Sequence, residues 1–379
     1  MVRTLAQTTD VRRLVEQVLD EAVVKRASDV HVEPTASGYD LRYRIDGLLH
    51  TRRQVDSDLG RSVVARLMAM AQLLTYRLNV PQEGRLACVL PSAPEPIPMR
   101  VSVMPTTHGV RAAVRLPAEL TQPRTLEELS LPRAVAEGLK RFAVADGGML
   151  LLCGPAGSGK TTTIYALLEY ITVRCPGTSV IALEDPVERD LPQVTQIEVS
   201  PFGELTYERA LRSIVRQDPQ VLMLGEIRDQ ATASIAVQAA LSGHRLISTL
   251  HAGDAAGAIA RLVEMGLQRY QITSSLFAIV CQRLLRRRAT DRAAERDYWG
   301  RVPAAEIVYL DEGLRATVLA DTDVSALRRR MSEQRGHRSL RQHAHALIEA
   351  GLTDAVEVER VIGPDEQTTR GDTDSHDHK

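Results

Sequence analysis

One segment constrains the fold more than any other: an apolar run, a glycine-rich loop and a Lys-Thr pair that opens an amphipathic stretch. The run MLLLC is followed by GPAGSGKT, which fits the pattern GxxxxGK[ST]. Glycines permit a tight loop with inward-pointing N–H groups, and the following helix start adds positive potential. The sequence therefore predicts a nucleotide-binding α/β domain. The predicted nucleotide-binding residues are Gly154, Pro155, Ala156, Gly157, Ser158, Gly159, Lys160, Thr161 and Thr162.

Within this loop two side chains have separate predicted tasks. Lys160 is expected to bridge the β- and γ-phosphates of ATP, and Thr161 to ligate Mg²⁺. A phosphate-binding loop also needs acidic groups at neighbouring strand ends. SVIALEDPVE ends a strand at Glu184, and QVLMLGEIRD ends one just before Glu226. Either glutamate can orient the attacking water or hold the magnesium shell, and the alternative for each is a solvated loop carboxylate.

The segment ISTLHAGD raises a question about His251, which follows another apolar run. Alone, it is typical of a buried core histidine with a satisfied hydrogen bond. Because the carboxyl ends of parallel strands meet at one sheet edge, we interpret it as a donor that faces the terminal phosphate.

Strand and helix patterns alternate through the second half of the chain and predict a mostly parallel sheet wrapped by helices. Residues 269–288 read as a helix with a basic end, and 322–363 as a small helical cap. The predicted strands are 148–153, 179–184, 220–225 and 244–250, and the predicted helices are 159–174, 206–217, 229–242 and 255–265.

The first part of the chain predicts a smaller α+β domain at 1–117. Helices are expected at 10–26 and 60–77, with a hairpin turn at Asp46-Gly47. Strands are expected within 85–116, interrupted by an exposed loop at PSAPEPIP. We further predict a linker at 118–128, the nucleotide-binding domain with its helical part at 129–363, and a disordered tail at 364–379.

Composition argues against several classes of protein. The net charge of -1 and an aromatic content of 3% disfavour nucleic-acid binding. The four cysteines form no CxxC pair, so no zinc site is expected and the cytoplasm is the natural compartment. No apolar run approaches the length of a membrane span, so membrane contact would need partner proteins.

Ten segments together carry a family resemblance. They run in order from about residue 11 to 310 and read SDVHVEP, RIDG, PQEGR, GPAGSGKTTTIYA, EDPVE, LRSIVRQDP, GEIRD, AVQAALSGH, STLHAGD and CQRLL. The sequence resembles the secretion ATPases of type II secretion and type IV pilus assembly, a branch of the RecA-like motors. The resemblance implies a RecA-like P-loop domain with a mostly parallel sheet, preceded by a smaller α+β (PAS-like) domain.

The resemblance also implies roles for individual residues. Glu226 becomes the Walker B glutamate, close to Mg²⁺ through water, Glu184 belongs to the aspartate box, and His251 belongs to the histidine box. The N-terminal domain of such ATPases supplies arginines to the nucleotide, and Arg100 and Arg115 stand at the matching positions. A cation there would stabilise the charge that builds during phosphoryl transfer.

The implied function is that of a cytoplasmic homohexamer that hydrolyses ATP with Mg²⁺ and drives pilus or pseudopilus assembly, or secretion, through an inner-membrane platform protein. Two features depart from the family: Ala252 and Gly253 replace the usual Thr-Asn, and the tetracysteine zinc module is missing. An extra N-terminal docking domain is also expected to be absent. Two alternatives stay open, namely a RecA-like nucleic-acid motor using the basic RLLRRR segment, and a nucleotide-gated adaptor with little hydrolysis.

Overall fold

The computed structural model describes residues 10–117, 125–199, 205–289, 297–320 and 323–364. The chain divides into two compact units, residues 1–122 and 123–379. Most of the predicted linker and nearly all of the predicted tail lie outside the described residues, so both remain predictions. In the described part of the chain, no helix is long and apolar enough to cross a membrane.

The described part of the first unit is an antiparallel sheet with two helices on one face. The sheet order is β3-β2-β1-β6-β5-β4. Its alternating pattern is the predicted one, since Tyr39, Leu41, Tyr43 and Ile45 are buried in a core that they share with both helices. The elements are α1 Val11–Val24, β1 Asp29–Thr35, β2 Gly38–Ile45, β3 Leu48–Val55, α2 Ser57–Met70, β4 Gln82–Leu90, β5 Ala93–Thr106 and β6 Gly109–Arg115.

The proline-rich segment PSAPEPIP was wrongly predicted to be an exposed loop. Only its first residues form a turn, and β5 begins at Ala93 and takes in the last three prolines of the segment. β6 pairs with β5 only from Arg100 onward, so the proline-rich half has β4 as its strand neighbour and, among the residues that the structure describes, no strand on the other side. Proline is tolerated in such a half-edge because no ladder hydrogen bond from its nitrogen is needed there.

The second predicted helix is also shifted, from 60–77 to α2. It begins after Asp56, whose side chain accepts a hydrogen bond from the Leu59 N–H at 2.8 Å. It ends at Met70, and Gln72 has a left-handed φ of 59°. The side chain of Gln82 then binds backbone atoms of Leu74 and Arg77 and keeps that segment in turns.

The second unit contains the predicted mostly parallel sheet. Its order is β13-β12-β7-β11-β10-β8-β9, and among the strand pairs of the described ranges only β12–β13 is antiparallel. Alternate residues of β7 enter two cores, one on each face, and helices cover both. The strands are β7 Gly148–Cys153, β8 Val180–Glu184, β9 Thr195–Glu198, β10 Val221–Leu224, β11 Arg245–Leu250, β12 Leu276–Arg288 and β13 Tyr298–Tyr309.

The helices of this unit follow the predicted alternation, with additional ones near its ends. The predicted cap at 322–363 is helical where it is described. The helices are α3 Arg133–Ala143, α4 Lys160–Arg174, α5 Tyr207–Ile214, α6 Gln230–Leu241, α7 Ala255–Glu264, α8 Arg269–Ser275, α9 Glu312–Ala320, α10 Val324–Ser332, α11 Leu340–Glu349 and α12 Ala355–Ile362.

The prediction of a helix over 269–288 is wrong. Only Arg269–Ser275 is helical, and the chain then forms the long strand β12 between β7 and β13. A short apolar run fits a buried strand as well as a buried helix, and the β-branched Ile279 and Val280 favour the strand. The correction matters for the site, because β12 ends its pairing with β7 beside the glycine-rich loop.

Candidate active site

The glycine-rich loop connects β7 to α4, as the sequence predicted. Gly154, Gly157 and Gly159 have φ angles of 150°, 74° and 89°, which side chains rarely adopt. A Cβ on Gly154 would lie 2.6 Å from both the Gln282 carbonyl oxygen and Ser158 Oγ. The loop therefore needs glycine for its backbone angles and for its close approach to β12.

Lys160 is the first residue of α4 and is 9% exposed. Its Nζ donates hydrogen bonds to the carbonyl oxygens of Gly154 at 2.8 Å and Pro155 at 2.9 Å. Burial lowers the pKa of this ammonium group, and the carboxylate of Glu226 opposes that shift. The Lys160 side chain thus folds back over the loop. It also lies close enough to Glu226 for the carboxylate to stabilise its positive charge.

The loop fits the phosphates of a nucleotide by two observations. Ser158 Oγ is buried and has no hydrogen-bond partner among the described residues, although buried hydroxyls normally have one. A buried cation, a left-handed glycine backbone and a helix start converge at the same place, which is the chemistry that binds an anion. Thr161 follows Lys160 in the first turn of α4, where a hydroxyl can ligate Mg²⁺.

Glu226 and His251 meet at the carboxyl edge of the sheet, after β10 and β11. His251 Nε2 lies 3.3 Å from Glu226 Oε2, and the histidine side chain is 59% exposed, so it is not a buried core residue. Arg228 contacts the other oxygen of Glu226 and lies 3.6 Å from Asp185 Oδ2. The structure therefore brings two carboxylates and two basic groups together near Lys160.

Glu184, the last residue of β8, is placed differently. It is 3% exposed, and its two carboxylate oxygens accept hydrogen bonds from the Tyr165 hydroxyl and from Gln196 Nε2, the latter at 2.9 Å. Burial raises the pKa of this carboxyl group, and the two hydrogen bonds reduce that rise. Its contacts are thus with α4 and β9 rather than with Glu226.

Arg100 and Arg115 belong to the first unit, where they are cross-strand neighbours on β5 and β6. Both side chains point away from the core and are exposed. Arg115 Nε donates to Asp29 Oδ1 at 3.2 Å, and Asp29 also faces Arg44 at 3.3 Å. The glycine-rich loop belongs to the second unit. Contact of these two arginines with a nucleotide therefore remains a prediction.

Sequence reasoning missed four polar residues of this region. Asp185 and Arg228 stand beside the two predicted glutamates in EDPVE and GEIRD, and adjacency at a strand end could have signalled them. Gln282 and Arg283 lie in CQRLL, which was assigned to a helix. Arg283 donates to the Gly253 carbonyl oxygen at 2.8 Å and so holds the loop that carries Ala252 and Gly253.

No group of three or more His, Cys, Asp or Glu side chains is arranged to hold a metal ion in the part of the chain that the structure describes. Thr161 and Glu226 are the residues that remain proposed for Mg²⁺, and the phosphates of a nucleotide would complete its ligands.

Known proteins resemble this chain over most of its length. The family described as "Type II/IV secretion system protein" matches residues 4–360. The type II secretion system protein HxcR of Pseudomonas aeruginosa is 37% identical over 381 residues, covering 95% of this chain and 80% of the relative. The type IV pilus assembly ATPase PilB of Thermus thermophilus is 31% identical, covering 92% of this chain and 42% of the relative.

A solved structure supports the fold. The pilus retraction motor PilT, determined with bound ADP, has a TM-score of 0.67 and 27% identity, and the match covers 93% of this chain and 98% of that one. The likeness confirms the predicted fold class, an α/β RecA-like P-loop domain preceded by a smaller α+β domain.

Proposed function

The chain belongs to the family of type II/IV secretion system proteins and is an ATPase, and on this premise we propose that it works as a homohexameric cytoplasmic motor. ATP binding and hydrolysis would drive pilus or pseudopilus assembly, or protein secretion, through a platform protein of the inner membrane. The observation that carries the proposal is the buried Lys160 in a glycine-rich loop, close to Glu226 at the carboxyl edge of a parallel sheet.

In this proposal the loop N–H groups and Lys160 bind the β- and γ-phosphates of ATP. Thr161, with Glu226 through water, would hold Mg²⁺, which neutralises charge on the phosphate oxygens when it is bound. Lys160 exchanges its present carbonyl acceptors, at 2.8 and 2.9 Å, for phosphate oxygens. The exchange is favourable because a charge-assisted bond to an anion is stronger than a bond to a neutral carbonyl.

We assign the orientation of the attacking water to Glu226. Its carboxylate is partly exposed and borders His251, which can donate to the terminal phosphate. Glu184 can take the same role only after Tyr165 or Gln196 releases one of its oxygens. Arg228 holds Glu226 in place and balances its charge in the absence of a nucleotide.

The hexamer is part of the proposal because the family resemblance implies a ring of six identical subunits. A head-to-tail interface between identical subunits makes a ring when its rotation closes. HxcR is named for a type II secretion system and PilB for type IV pilus assembly, and these names support a machine of one of these two kinds. The ring would act on its platform protein by repeated changes in subunit shape.

Arg115→Ala tests the part of the proposal that involves the first unit. We expect ATP hydrolysis to fall at least about tenfold while ADP binding and melting temperature persist, since a cation that acts on the developing charge is lost. The fold is expected to survive because Asp29 keeps Arg44 as a partner at 3.3 Å. The measurement is steady-state phosphate release beside a binding titration.

The matched control is Arg61→Ala, which removes an exposed arginine of α2 that pairs with Asp58 in the same unit. It is expected to hydrolyse ATP like the wild type. Wild-type hydrolysis in Arg115→Ala would show that this arginine does not act on the nucleotide.

A further inference from the structure

Gln282 occupies an unusual position for a polar residue. It follows Cys281, which pairs with Cys153 at the end of β7, so its place in the sheet is beside the first residue of the glycine-rich loop. The side chain is only 2% exposed. A buried side-chain amide needs hydrogen-bond partners for both its N–H₂ donor and its oxygen acceptor. The partners of the Gln282 amide therefore show which segments it connects.

Both partners of the Gln282 side chain belong to the phosphate-binding segment. Nε2 donates to the Ser158 carbonyl oxygen at 2.9 Å, and Oε1 accepts from Thr163 Oγ1 at 2.9 Å. Ser158 lies in the loop and Thr163 in the first turn of α4. A single side chain from the neighbouring strand therefore fixes the loop and the helix start against each other.

We propose that Gln282 is a positioning residue that sets the loop for binding nucleotide phosphates. This inference rests on the proposed function of the loop and deepens it. It assigns a role in the ATPase site to a residue of β12. None of the site residues predicted from the sequence lies on this strand.

The geometry of the peptide bond explains how the Gln282 amide, on the β12 side of the loop, can affect the N–H groups that face the phosphates. In a trans peptide the C=O and N–H groups point in opposite directions. Because Gln282 holds the Ser158 carbonyl toward β12, the N–H of Gly159 points away from β12. Rotation of this peptide would turn one of the loop's donors out of position, and the hydrogen bond of Gln282 opposes that rotation.

The glycine at 159 is needed for this contact as well as for its φ of 89°. A Cβ there would lie 2.6 Å from Gln282 Nε2. The Gln282 amide can therefore approach the loop this closely only because residue 159 has no side chain.

Burial makes the arrangement hard to replace with water. Ser158 is 3% exposed and Thr163 is fully buried, so loss of the Gln282 amide takes a hydrogen-bond partner from a buried carbonyl and from a buried hydroxyl. The peptide between Ser158 and Gly159 is then free to rotate toward another donor. We expect that movement to appear as weaker nucleotide binding.

The test compares Gln282→Met and Thr163→Val with a matched control, Thr353→Val. Methionine has a similar length without the two hydrogen bonds, and valine keeps the shape of threonine. Thr353 Oγ1 donates to the Arg286 carbonyl at 2.9 Å, so the control removes another buried hydrogen bond to β12, away from the loop. For each purified full-length variant, the dissociation constant for ADP, the KM for ATP and the melting temperature without nucleotide are measured.

We expect the dissociation constant for ADP to rise about tenfold in Gln282→Met, and by a smaller factor in Thr163→Val. KM for ATP should rise in the same order. Thr353→Val should bind ADP like the wild type even where its melting temperature falls.

Wild-type ADP affinity in Gln282→Met together with a lower melting temperature would overturn the inference, because the amide would then serve stability alone. If Gln282→Met does not fold, Thr163→Val decides, and an unchanged dissociation constant in that variant overturns the inference too. Lys160→Ala in the same series separates the two claims. Wild-type ADP affinity in Lys160→Ala would overturn the proposed phosphate site itself, whatever the Gln282 variants do.

Discussion

ATP hydrolysis is expected to fall by at least about 100-fold when Lys160 is replaced by alanine. The buried ammonium group is the strongest positive charge that the loop offers to the phosphates, and alanine leaves only the backbone N–H groups. Nucleotide binding should weaken as well, since Lys160 is expected to contact both the ground state and the transition state. Phosphate release and a binding titration with ADP measure the two effects separately.

The fold should tolerate this substitution. Burial lowers the pKa of Lys160, which means that the charged ammonium group is disfavoured in the folded state. Relief of this cost is set against loss of the hydrogen bonds to the Gly154 and Pro155 carbonyl oxygens, so the melting temperature without nucleotide is expected to stay close to that of the wild type. Lys140→Ala is the matched control, because Lys140 is a surface lysine of α3 that pairs with Glu127 at 2.7 Å. If Lys160→Ala hydrolyses ATP like this control, the loop is not the catalytic phosphate site.

Glu226→Gln is expected to reduce kcat by about 100-fold or more while ATP still binds. Glutamine keeps the shape of the side chain but lacks the charge that orients a water molecule and attracts its proton. Arg228 keeps Asp185 as a partner at 3.6 Å, so no basic group is stranded by the change. Comparison of kcat with the dissociation constant for ATP shows which step is affected.

Glu137→Gln provides the control for Glu226→Gln, since Glu137 is an exposed glutamate of α3 that pairs with Arg133. The parallel variant Glu184→Gln identifies the base. Retained kcat in Glu226→Gln with loss in Glu184→Gln would move the water-orienting role to Glu184, and its hydrogen bond from Tyr165 would then have to open during turnover.

Two kinds of feature made parts of the site predictable: residues that are neighbours in the sequence, and parallel strands that end at the same edge of the sheet. The strand, loop and helix around Lys160 are specified by neighbouring residues, so their order is readable directly. Glu226 and His251 lie on different strands, and their proximity was predictable because parallel strands place their carboxyl ends at one edge. Their side chains lie 3.3 Å apart, and this proximity does not depend on how the helices pack against the sheet.

The parts that could not be predicted depend on how elements pack against each other. The partners of the Glu184 oxygens, Tyr165 on α4 and Gln196 on β9, could not be predicted because the sequence pattern does not fix the rotation of α4 over the sheet. A role of Glu184 at the phosphates stays a prediction. Gln282 was hidden because the apolar run of β12 fits helix and strand alike. The assignment of that run as a helix removed Gln282 from the sheet edge and so from the site.

The central claim is that this chain works as a hexameric motor that hydrolyses ATP at the site of Lys160 and Glu226. The most direct measurement is steady-state phosphate release from the purified wild-type protein with Mg²⁺ and ATP, with the mass of the assembly determined in the same sample. The account predicts a hexamer that releases phosphate above background, and release that is lost in both Lys160→Ala and Glu226→Gln. A well-folded hexamer that binds ATP and releases no phosphate above background would contradict it.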